Sequence, residues 1–400
     1  MKLHFLVSVL LFAPWSLRSA HLPVMNAGGP EAQLYGQTEH YPTGSSSTMF
    51  ERKYMVGDFS HFDTLFPAHS INPSAKPWEF HVSADSPEIR YSHAGKLYQI
   101  TDYLNHLPVT GLLIAKDDQI LFEAYQYDRT PQDRLTSQSM AKTIMAMLVG
   151  IAVSDHAIGS IEETVSKYVP ELKDSPYGDS KLVDLLHMSS GITCQGSDSD
   201  EGEIKIQTLK TECKQAFPGG THFHYSGADA EVLGLVLSNA LHKSLSAYLE
   251  EKIWSQIGTT SKASWNTDSS GHDLAFCCFN ATLRDYAHLA RLLANDGAWN
   301  GKQLIPKDWV VQATTVSDST PQLAPGKPVP FFGYGYQVWI LPGQRRMFTL
   351  LGANGQRIFI DPQSKLILVQ TAVMENAVDR ARDAETIGLW LSLVHHYGAQ

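Results

Sequence analysis

Strand-like segments lie near both ends of this 400-residue chain, and helix-like segments occupy the region between them. Near the start, GLLIAKDDQILFEAYQY has two apolar runs around a turn at residues 116–118, which predicts a hairpin. Near the end, successive apolar runs between residues 331 and 374 predict further strands. Because both sets must bury apolar faces, the pattern predicts one sheet built from the two ends of the chain.

The middle of the chain predicts a helical insertion into that sheet. A long helix is expected at about residues 140–154, and shorter ones are expected in SIEETVSKYVPEL, KLVDLLHMSSGI, DAEVLGLVLSNAL, LSAYLEEKIWSQIG and ATLRDYAHLARLLAND. KLYQITDYLNHL and DAETIGLWLSLVHHYG also have helical spacing. The predicted fold class is α/β, with an antiparallel sheet flanked by helices, an all-helical subdomain and the active site between them. The expected divisions are an N-terminal extension at 21–94, a sheet subdomain at 95–155 and 300–400, and a helical subdomain at 156–299.

The charge of the chain restricts its partners. The formal net charge is −10, and the 31 lysines and arginines form no basic run. A nucleic-acid surface needs clustered positive charge to replace the counterions of the phosphates. The composition therefore argues against nucleic acid and favours a small-molecule partner.

The first residues, MKLHFLVSVLLFAPWSLRSA, have the layout of a secretory signal. Lys2 precedes an apolar stretch, and small residues follow it, which predicts cleavage near residue 20. An uncleaved anchor is the alternative, although Pro14 and Arg18 interrupt the stretch. No other segment has 18 consecutive apolar residues. We therefore expect an exported protein, periplasmic or secreted, without stable membrane insertion after the signal is removed.

Export to an oxidising compartment would allow the four cysteines to form disulfides. Cys194 and Cys213 bracket a Gly/Ser-rich acidic stretch, and a disulfide between them would close a surface loop. Cys277 and Cys278 are adjacent, and we expect two small buried side chains there rather than a bond. No Cys or His spacing typical of a zinc site occurs, so no metal is predicted.

A serine and a lysine stand together at the head of the long apolar helix, in SMAK. Ser139 and Lys142 are three residues apart, so a helix places both side chains on one face. Apolar neighbours would desolvate Lys142, which favours a neutral amine able to accept a proton. The N–H groups at the helix start could stabilise an oxyanion beside the serine. The arrangement predicts a nucleophilic Ser139 activated by Lys142.

A third candidate is Tyr225, in the loop before a helix that begins near Ser226 or Gly227. A phenol beside an ammonium group can be held as phenolate and act as a base or proton shuttle. Taken alone, however, Tyr225 fits a packing residue better than a catalytic one.

These features together resemble the penicillin-recognising serine hydrolases. That superfamily includes class C β-lactamases, D-alanyl-D-alanine carboxypeptidases, related esterases and 6-aminohexanoate-oligomer hydrolases. The resemblance covers about residues 95–395 and is closest to the 6-aminohexanoate-hydrolase and esterase members. It depends on segments that occur in the superfamily's order, namely SMAK, LLHMSSGI, YSGADAEVLG, ATLRDYAHLARLLANDGAWNGKQLIP and GANGQRIFIDP. It implies a β-lactamase/transpeptidase-like fold and a reaction without a cofactor.

The resemblance also implies roles for individual residues. Ser139 matches the acylated nucleophile, Lys142 its partner in proton transfer, and Tyr225 the first residue of the Tyr-x-Asn motif. The Lys-Thr-Gly motif falls on Ala353, Asn354 and Gly355, so the N–H groups of Ser139 and Gln356 would form the oxyanion hole. Substrate contacts are then implied for Gly227, Asn354 and Gly355, and the aromatic strand around Tyr334, Tyr336 and Trp339 could line the cleft.

Two departures from the superfamily pattern affect the substrate. Gly227 replaces the Asn of Tyr-x-Asn, and Ala353 replaces a lysine that would bind a carboxylate. The missing cation weakens the case for a β-lactam or a D-alanyl peptide and favours an ester or amide bound mainly by apolar contacts.

The sequence therefore predicts a serine hydrolase that cleaves an ester or amide through an acyl-serine. The alternatives are a β-lactamase or D-alanyl-D-alanine carboxypeptidase, and an inactive binding protein of the same fold. An ordinary α/β-hydrolase is excluded because the chain has no Gly-x-Ser-x-Gly.

Overall fold

A computed structural model describes residues 23–82, 87–194 and 205–398 of the chain. The predicted signal peptide lies outside these residues. The helices are α1 Arg52–Phe59, α2 Phe62–Leu65, α3 Ile100–His106, α4 Met140–Ser154, α5 Leu182–Leu186, α6 Ile206–Thr211, α7 Gly227–Leu241, α8 Leu245–Lys252, α9 Leu283–Ala294, α10 Lys307–Ala313 and α11 Arg380–Tyr397. Single 3₁₀ turns lie between several of them.

The longest strands belong to the central sheet. They are β1 Val24–Met25, β2 Ala68–Ile71, β3 His81–Val82, β4 Arg90–His93, β5 Lys96–Gln99, β6 Val109–Lys116, β7 Gln119–Tyr125, β8 Leu135–Thr136, β9 Ile192–Cys194, β10 Cys213–Gln215, β11 Ala263–Asn266, β12 Phe279–Ala281, β13 Ala298–Trp299, β14 Lys302–Gln303, β15 Gly333–Tyr334, β16 Trp339–Ile340, β17 Phe348–Gly352, β18 Gln356–Asp361 and β19 Leu366–Ala372.

The central sheet joins both ends of the chain, as the sequence predicts. Its order is β1-β7-β6-β19-β18-β17-β16-β15, and β3 also pairs with β7. The β6–β7 hairpin is confirmed, and β19 pairs antiparallel with β6, from Leu366 opposite Lys116 to Ala372 opposite Val109. The predicted α/β class with an antiparallel sheet is confirmed. The strands β1 and β3 pair parallel with β7 and are the exceptions.

Helices cover both faces of this sheet, so its inner strands are apolar on both sides. Along β6, Leu113 and Ala115 belong to the core that contains α4 and α9, whereas Leu112 and Ile114 face the core formed with α3 and α11. Alternate residues of a strand point to opposite faces, which produces this division. The closing helix α11 is confirmed.

Helix α4 is buried on all sides because further helices and strand β17 pack around it. Residues 140–152 are all buried, which explains the nearly uninterrupted apolar sequence. Gly150 leaves room for an indole: a Cβ added there would lie 2.3 Å from the ring of Trp309. Trp309 Nε1 donates to the carbonyl of Ala146 at 3.1 Å. Ser139 and Lys142 therefore lie at the start of a fully packed helix.

The N-terminal extension is integrated into the fold. A second sheet has the order β2-β11-β12-β8, so residues 68–71 of the extension pair with residues 263–266. The β11 and β12 strands lie inside the predicted helical subdomain, and α9 packs against β6 and β19 of the central sheet. The predicted division into subdomains stays a prediction.

Two local predictions differ from the structure. KLYQITDYLNHL forms strand β5 before helix α3, because residues 96–99 pair with β4. SIEETVSKYVPEL forms turns and two 3₁₀ helices, Val165–Lys167 and Pro170–Leu172, where the sequence predicts an α-helix. A proline in this segment lacks the N–H that an α-helix would need.

The disulfide predictions have opposite outcomes. The Cys194–Cys213 bond is confirmed and joins strands β9 and β10. The expectation for Cys277 and Cys278 is wrong, since the two neighbours are bonded to each other. Within the three described ranges, no helix has the length and apolar character needed to cross a membrane.

Candidate active site

Ser139 and Lys142 face each other at the start of α4. Ser139 precedes the first helical residue, and its side chain does not cap the helix. Lys142 Nζ donates a hydrogen bond to Ser139 Oγ at 3.0 Å. The side chains are largely removed from water, with Ser139 8% and Lys142 1% exposed. The predicted contact is confirmed, and the assignment of Ser139 as nucleophile stays a prediction.

Two other residues surround the lysine ammonium group. Lys142 Nζ donates to the carbonyl of Phe276 at 2.9 Å, and it lies 4.8 Å from the ring centroid of Tyr225. An ammonium group near an aromatic face is stabilised electrostatically. Sequence reasoning identified Tyr225 but not Phe276, because a backbone acceptor leaves no signal in the pattern of side chains.

Tyr225 lies at the end of the loop that leads into α7. Ser226 caps this helix, since its hydroxyl accepts a hydrogen bond from the N–H of Asp229 at 3.3 Å. The Tyr225 ring stacks on Trp339, with centroids 5.5 Å apart, and meets Tyr334 edge-on at 6.3 Å. Packing against the sheet therefore fixes the phenol beside Lys142.

The loop before Tyr225 is attached to the LLHMSSGI segment. The N–H of His224 donates to the carbonyl of Met188 at 2.7 Å. The buried carboxylate of Asp229 accepts hydrogen bonds from the hydroxyls of Tyr177 and Ser190, at 2.9 and 2.8 Å. The LLHMSSGI segment therefore supports the loop that carries Tyr225.

A buried carboxyl group lies behind the Phe276 carbonyl. Glu231, on α7, is 3% exposed, and its Oε2 accepts a hydrogen bond from the N–H of Ala275 at 3.2 Å. Burial raises the pKa of Glu231 to about 8, and the nearby Asp268 and Asp273 raise it further, while the Ala275 N–H and Lys142 oppose the change. Glu231 thus contacts Ala275, the residue before Phe276, whose carbonyl accepts the lysine's hydrogen bond.

The sequence-based assignment of the second oxyanion donor requires correction. The N–H of Gln356 donates to the carbonyl of Ala353 and closes a 3₁₀ turn, so this donor is already used. Gly352 packs closely against the segment before α4: a Cβ added there would lie 2.3 Å from the carbonyl oxygen of Ser137. The strand end at Gly352 therefore lies beside the segment that leads into α4, and the Gln356 side chain lies next to Gly352.

Asn354 and Gly355 lie in the buried turn after β17, and their contact with substrate stays a prediction. Asn354 has a left-handed φ of 58°, is 3% exposed, and its amide donates to the carbonyl of Met374 at 2.8 Å. Gly355 lies against Ala372 and Met374, which a Cβ would meet within 2.9 Å. Both residues shape the turn and hold it to the chain after β19.

Gly227 and Tyr336 are the other two residues predicted to contact substrate. Gly227 is the buried first residue of α7 and presents no side chain. The Tyr336 ring packs between His187 and Trp309, with centroids 4.9 and 5.1 Å away. The residues of this strand segment that pack around Tyr225 are Tyr334 and Trp339, so the aromatic wall is present but Tyr336 is not part of it.

Arg357 does not replace the lysine that Ala353 lacks. Arg357 is 6% exposed, and its guanidinium pairs with Asp383 at 2.5 Å and donates to the carbonyls of Gly352 and Gln356. No group of three or more His, Cys, Asp or Glu side chains that could hold a metal occurs in residues 23–82, 87–194 and 205–398.

Comparison with known proteins identifies the family. The sequence model of the Beta-lactamase family matches residues 99–389, which is most of the chain. The chain belongs to the Beta-lactamase family. This membership confirms the resemblance, the fold class and the prediction of an enzyme related to the serine hydrolases.

Several known proteins are similar to this chain. The 6-aminohexanoate-dimer hydrolase of Paenarthrobacter ureafaciens is 21% identical over 298 residues, covering 69% of this chain and 76% of the relative. A Bacillus anthracis protein assigned as a 6-aminohexanoate-dimer hydrolase has a TM-score of 0.78 at 21% identity and covers 87% of this chain and 95% of its own. EstCE1, a hydrolase with promiscuous acyltransferase activity, has a TM-score of 0.58 at 14% identity, covering 71% and 95%.

Proposed function

We propose that this member of the Beta-lactamase family hydrolyses an ester or amide bond of a small molecule through an acyl-Ser139 intermediate. The observation that carries the proposal is the 3.0 Å hydrogen bond from Lys142 Nζ to Ser139 Oγ, in a water-poor site beside Tyr225. The 6-aminohexanoate-dimer hydrolase and EstCE1 support this reaction class.

The first step is the formation of the acyl-enzyme. The Lys142/Tyr225 pair accepts the hydroxyl proton of Ser139, and the serine oxygen attacks the carbonyl carbon. The proton passes to the leaving alcohol or amine as that bond breaks. Water then attacks the acyl carbon and releases the acid, with the same pair accepting the water's proton and returning it to Ser139.

The oxyanion of each tetrahedral intermediate needs two donors. The N–H of Ser139, at the positive end of α4, supplies one. We assign the second to the N–H of Ala353, because Ala353 follows Gly352 at its close approach to Ser137. Backbone donors held by a packed helix and a sheet strand need no rearrangement as charge develops, which is the source of their catalytic effect.

The preferred substrate is uncharged near the scissile bond. Ala353 carries no charge where the superfamily pattern has a lysine, and Arg357 is paired with Asp383. A carboxylate placed here would lose its hydration without gaining a cation. We therefore favour an ester or amide over a β-lactam or D-alanyl peptide.

The test compares the mature protein with Ser139→Ala and with a matched control at an exposed serine, Ser319→Ala. Each is assayed on a short-chain p-nitrophenyl ester, a linear 6-aminohexanoate dimer and a chromogenic cephalosporin. We expect turnover of the ester or the dimer that Ser139→Ala abolishes and Ser319→Ala retains, with an acyl adduct on Ser139 in mass spectra. Rapid turnover of the cephalosporin would contradict the substrate preference.

The second candidate is a binding protein that does not turn over its ligand. Gly227 and Ala353, which depart from the superfamily motifs, favour this candidate. It would show no turnover of the three substrates and no acyl adduct.

We also propose that the protein is exported after cleavage near residue 20. Two disulfides fit an oxidising compartment, where such bonds persist. The mass of the mature protein after expression in an exporting host tests this: loss of about residues 1–20 supports export, and an intact N-terminus in the cytosol contradicts it.

A further inference from the structure

A cavity of about 370 Å³ lies between the N-terminal extension and the loop that carries Phe276. The extension contributes Met49, Phe50, Phe62 and Phe66 to one wall, and the opposite wall includes Phe276 and the bonded cysteines Cys277 and Cys278. An apolar cavity of roughly 150 Å³ is large enough for benzene. This cavity therefore has room for an aryl group together with the amide or ester that links it.

The cavity adjoins the reacting groups on two sides. Gln138, the residue before Ser139, lines it, and so does Phe276, whose carbonyl accepts the hydrogen bond of Lys142. A group in the cavity would consequently lie next to the serine–lysine pair. The cavity is thus positioned to hold one of the two groups attached to a scissile carbonyl.

Gln138 supplies an unused hydrogen-bond donor at this wall. Its side chain is 7% exposed, and Nε2 is buried without a hydrogen-bond partner among the described residues. A buried amide N–H group without a partner costs free energy that a ligand acceptor would recover. The backbone of Gln138 has a φ of 45°, a conformation that favours glycine, and such strain concentrates at functional sites.

The charges around the cavity restrict what it can bind. None of the described lining residues is a lysine or arginine. The one carboxylate, Asp268, already accepts hydrogen bonds from the N–H groups of Ser270 and His272, both at 2.8 Å. An anionic arm would find no counter-charge there, whereas an uncharged arm with a carbonyl oxygen would match both the apolar walls and the Gln138 amide.

The extension that forms one wall lies outside the family match. Residues 49–67 precede residue 99, where the Beta-lactamase family match begins. The wall therefore belongs to the extension that precedes the matched region.

Building on the proposed hydrolase function, we propose that this cavity binds an uncharged aryl or branched-alkyl arm of the substrate, and that Gln138 Nε2 donates a hydrogen bond to a carbonyl oxygen on that arm.

The test measures binding in the Ser139→Ala background, where hydrolysis is absent. The ligands are N-benzylacetamide, which has an aryl ring and a neutral carbonyl, and phenylacetate, which has a similar size and a negative charge. We expect N-benzylacetamide to bind at least about 10-fold more tightly in calorimetric titrations. Replacing Gln138 by Met removes the donor at similar size, so binding should weaken about 3- to 10-fold.

Phe50→Ala tests the extension wall, and Phe217→Ala is its matched control. The two phenylalanines have nearly equal exposure, 46% and 45%, but only Phe50 lines the cavity. Phe50→Ala should weaken binding at least about 3-fold, and Phe217→Ala should leave it unchanged. Thermal midpoints of all variants establish that they are folded.

The results separate this inference from the proposed reaction. Equal binding of both ligands, or binding unaffected by Gln138→Met and Phe50→Ala, would overturn the cavity assignment even if Ser139-dependent turnover of p-nitrophenyl acetate is observed. Selective binding that depends on Gln138 and Phe50 would support it even if no ester is turned over, in which case the hydrolase proposal would fall.

Discussion

Glu231 should make the stability of this protein depend on pH in a way that one substitution removes. Its pKa is raised from 4.5 to about 8, chiefly by burial, so the folded protein retains a proton that the unfolded chain has lost at neutral pH. A raised carboxyl pKa therefore penalises folding, and the penalty grows as the pH rises from the unfolded value to the folded one. Below about pH 4.5 both states are protonated and the penalty disappears.

Glu231→Gln removes the titration and keeps an oxygen that can accept the N–H of Ala275. With pKa values of 4.5 unfolded and about 8 folded, the penalty on folding of the unmodified protein is ~1 kcal/mol at pH 5 and ~4 kcal/mol at pH 8. The variant does not have this penalty. The free energy of unfolding of the variant, minus that of the unmodified protein, should therefore rise by ~3 kcal/mol across this interval.

Urea unfolding followed by tryptophan fluorescence at pH 5, 6, 7 and 8 measures this difference. Glu171→Gln, at an exposed position, is the control and should give a constant difference. Parallel pH profiles for Glu231→Gln and the unmodified protein would refute the reasoning, because they would show that Glu231 titrates alike in both states. If the stability difference between the variant and the unmodified protein fell as the pH rises, folding would lower the pKa of Glu231 instead of raising it.

Three further predictions concern packing, titration and cross-linking. Gly150→Ala places a methyl group 2.3 Å from the Trp309 ring and should cost about 1–3 kcal/mol in urea unfolding; an unchanged midpoint would contradict the packing. Burial lowers the pKa of His187 to about 4, so NMR should show its ring neutral at pH 6, and stability from this group should decrease as the pH falls from 6.5 towards 4. Replacing Cys194 and Cys213 by Ser opens a loop with a sequence separation of 19 and should cost about 3 kcal/mol, measured by unfolding without reductant.

Tertiary packing decides which predicted site residues reach the nucleophile. The turn at residues 353–355 illustrates this: the motif order placed Gln356 at the oxyanion, but its N–H closes a 3₁₀ turn. The pair Asn354-Gly355 is typical of a turn, but only the structure shows that this turn uses the Gln356 N–H and that the Asn354 amide donates to Met374. Likewise, Tyr336 and Trp339 occupy one aromatic segment, and only the packing shows that Trp339 is the one that stacks on Tyr225.

The sequence by itself determined the features that depend on residues close together in the chain. The i and i+3 spacing of Ser139 and Lys142 on a helix sets their contact, and the alternation around residues 116–118 sets the β6–β7 hairpin. The tertiary structure alone decided the contacts between distant segments. Phe276 meets Lys142 across 134 residues through a backbone carbonyl, and the extension reaches the cavity by pairing β2 with β11. Such contacts depend on how layers that are distant in the chain pack together. Local patterns of side chains therefore do not predict a backbone acceptor or a shared cavity wall.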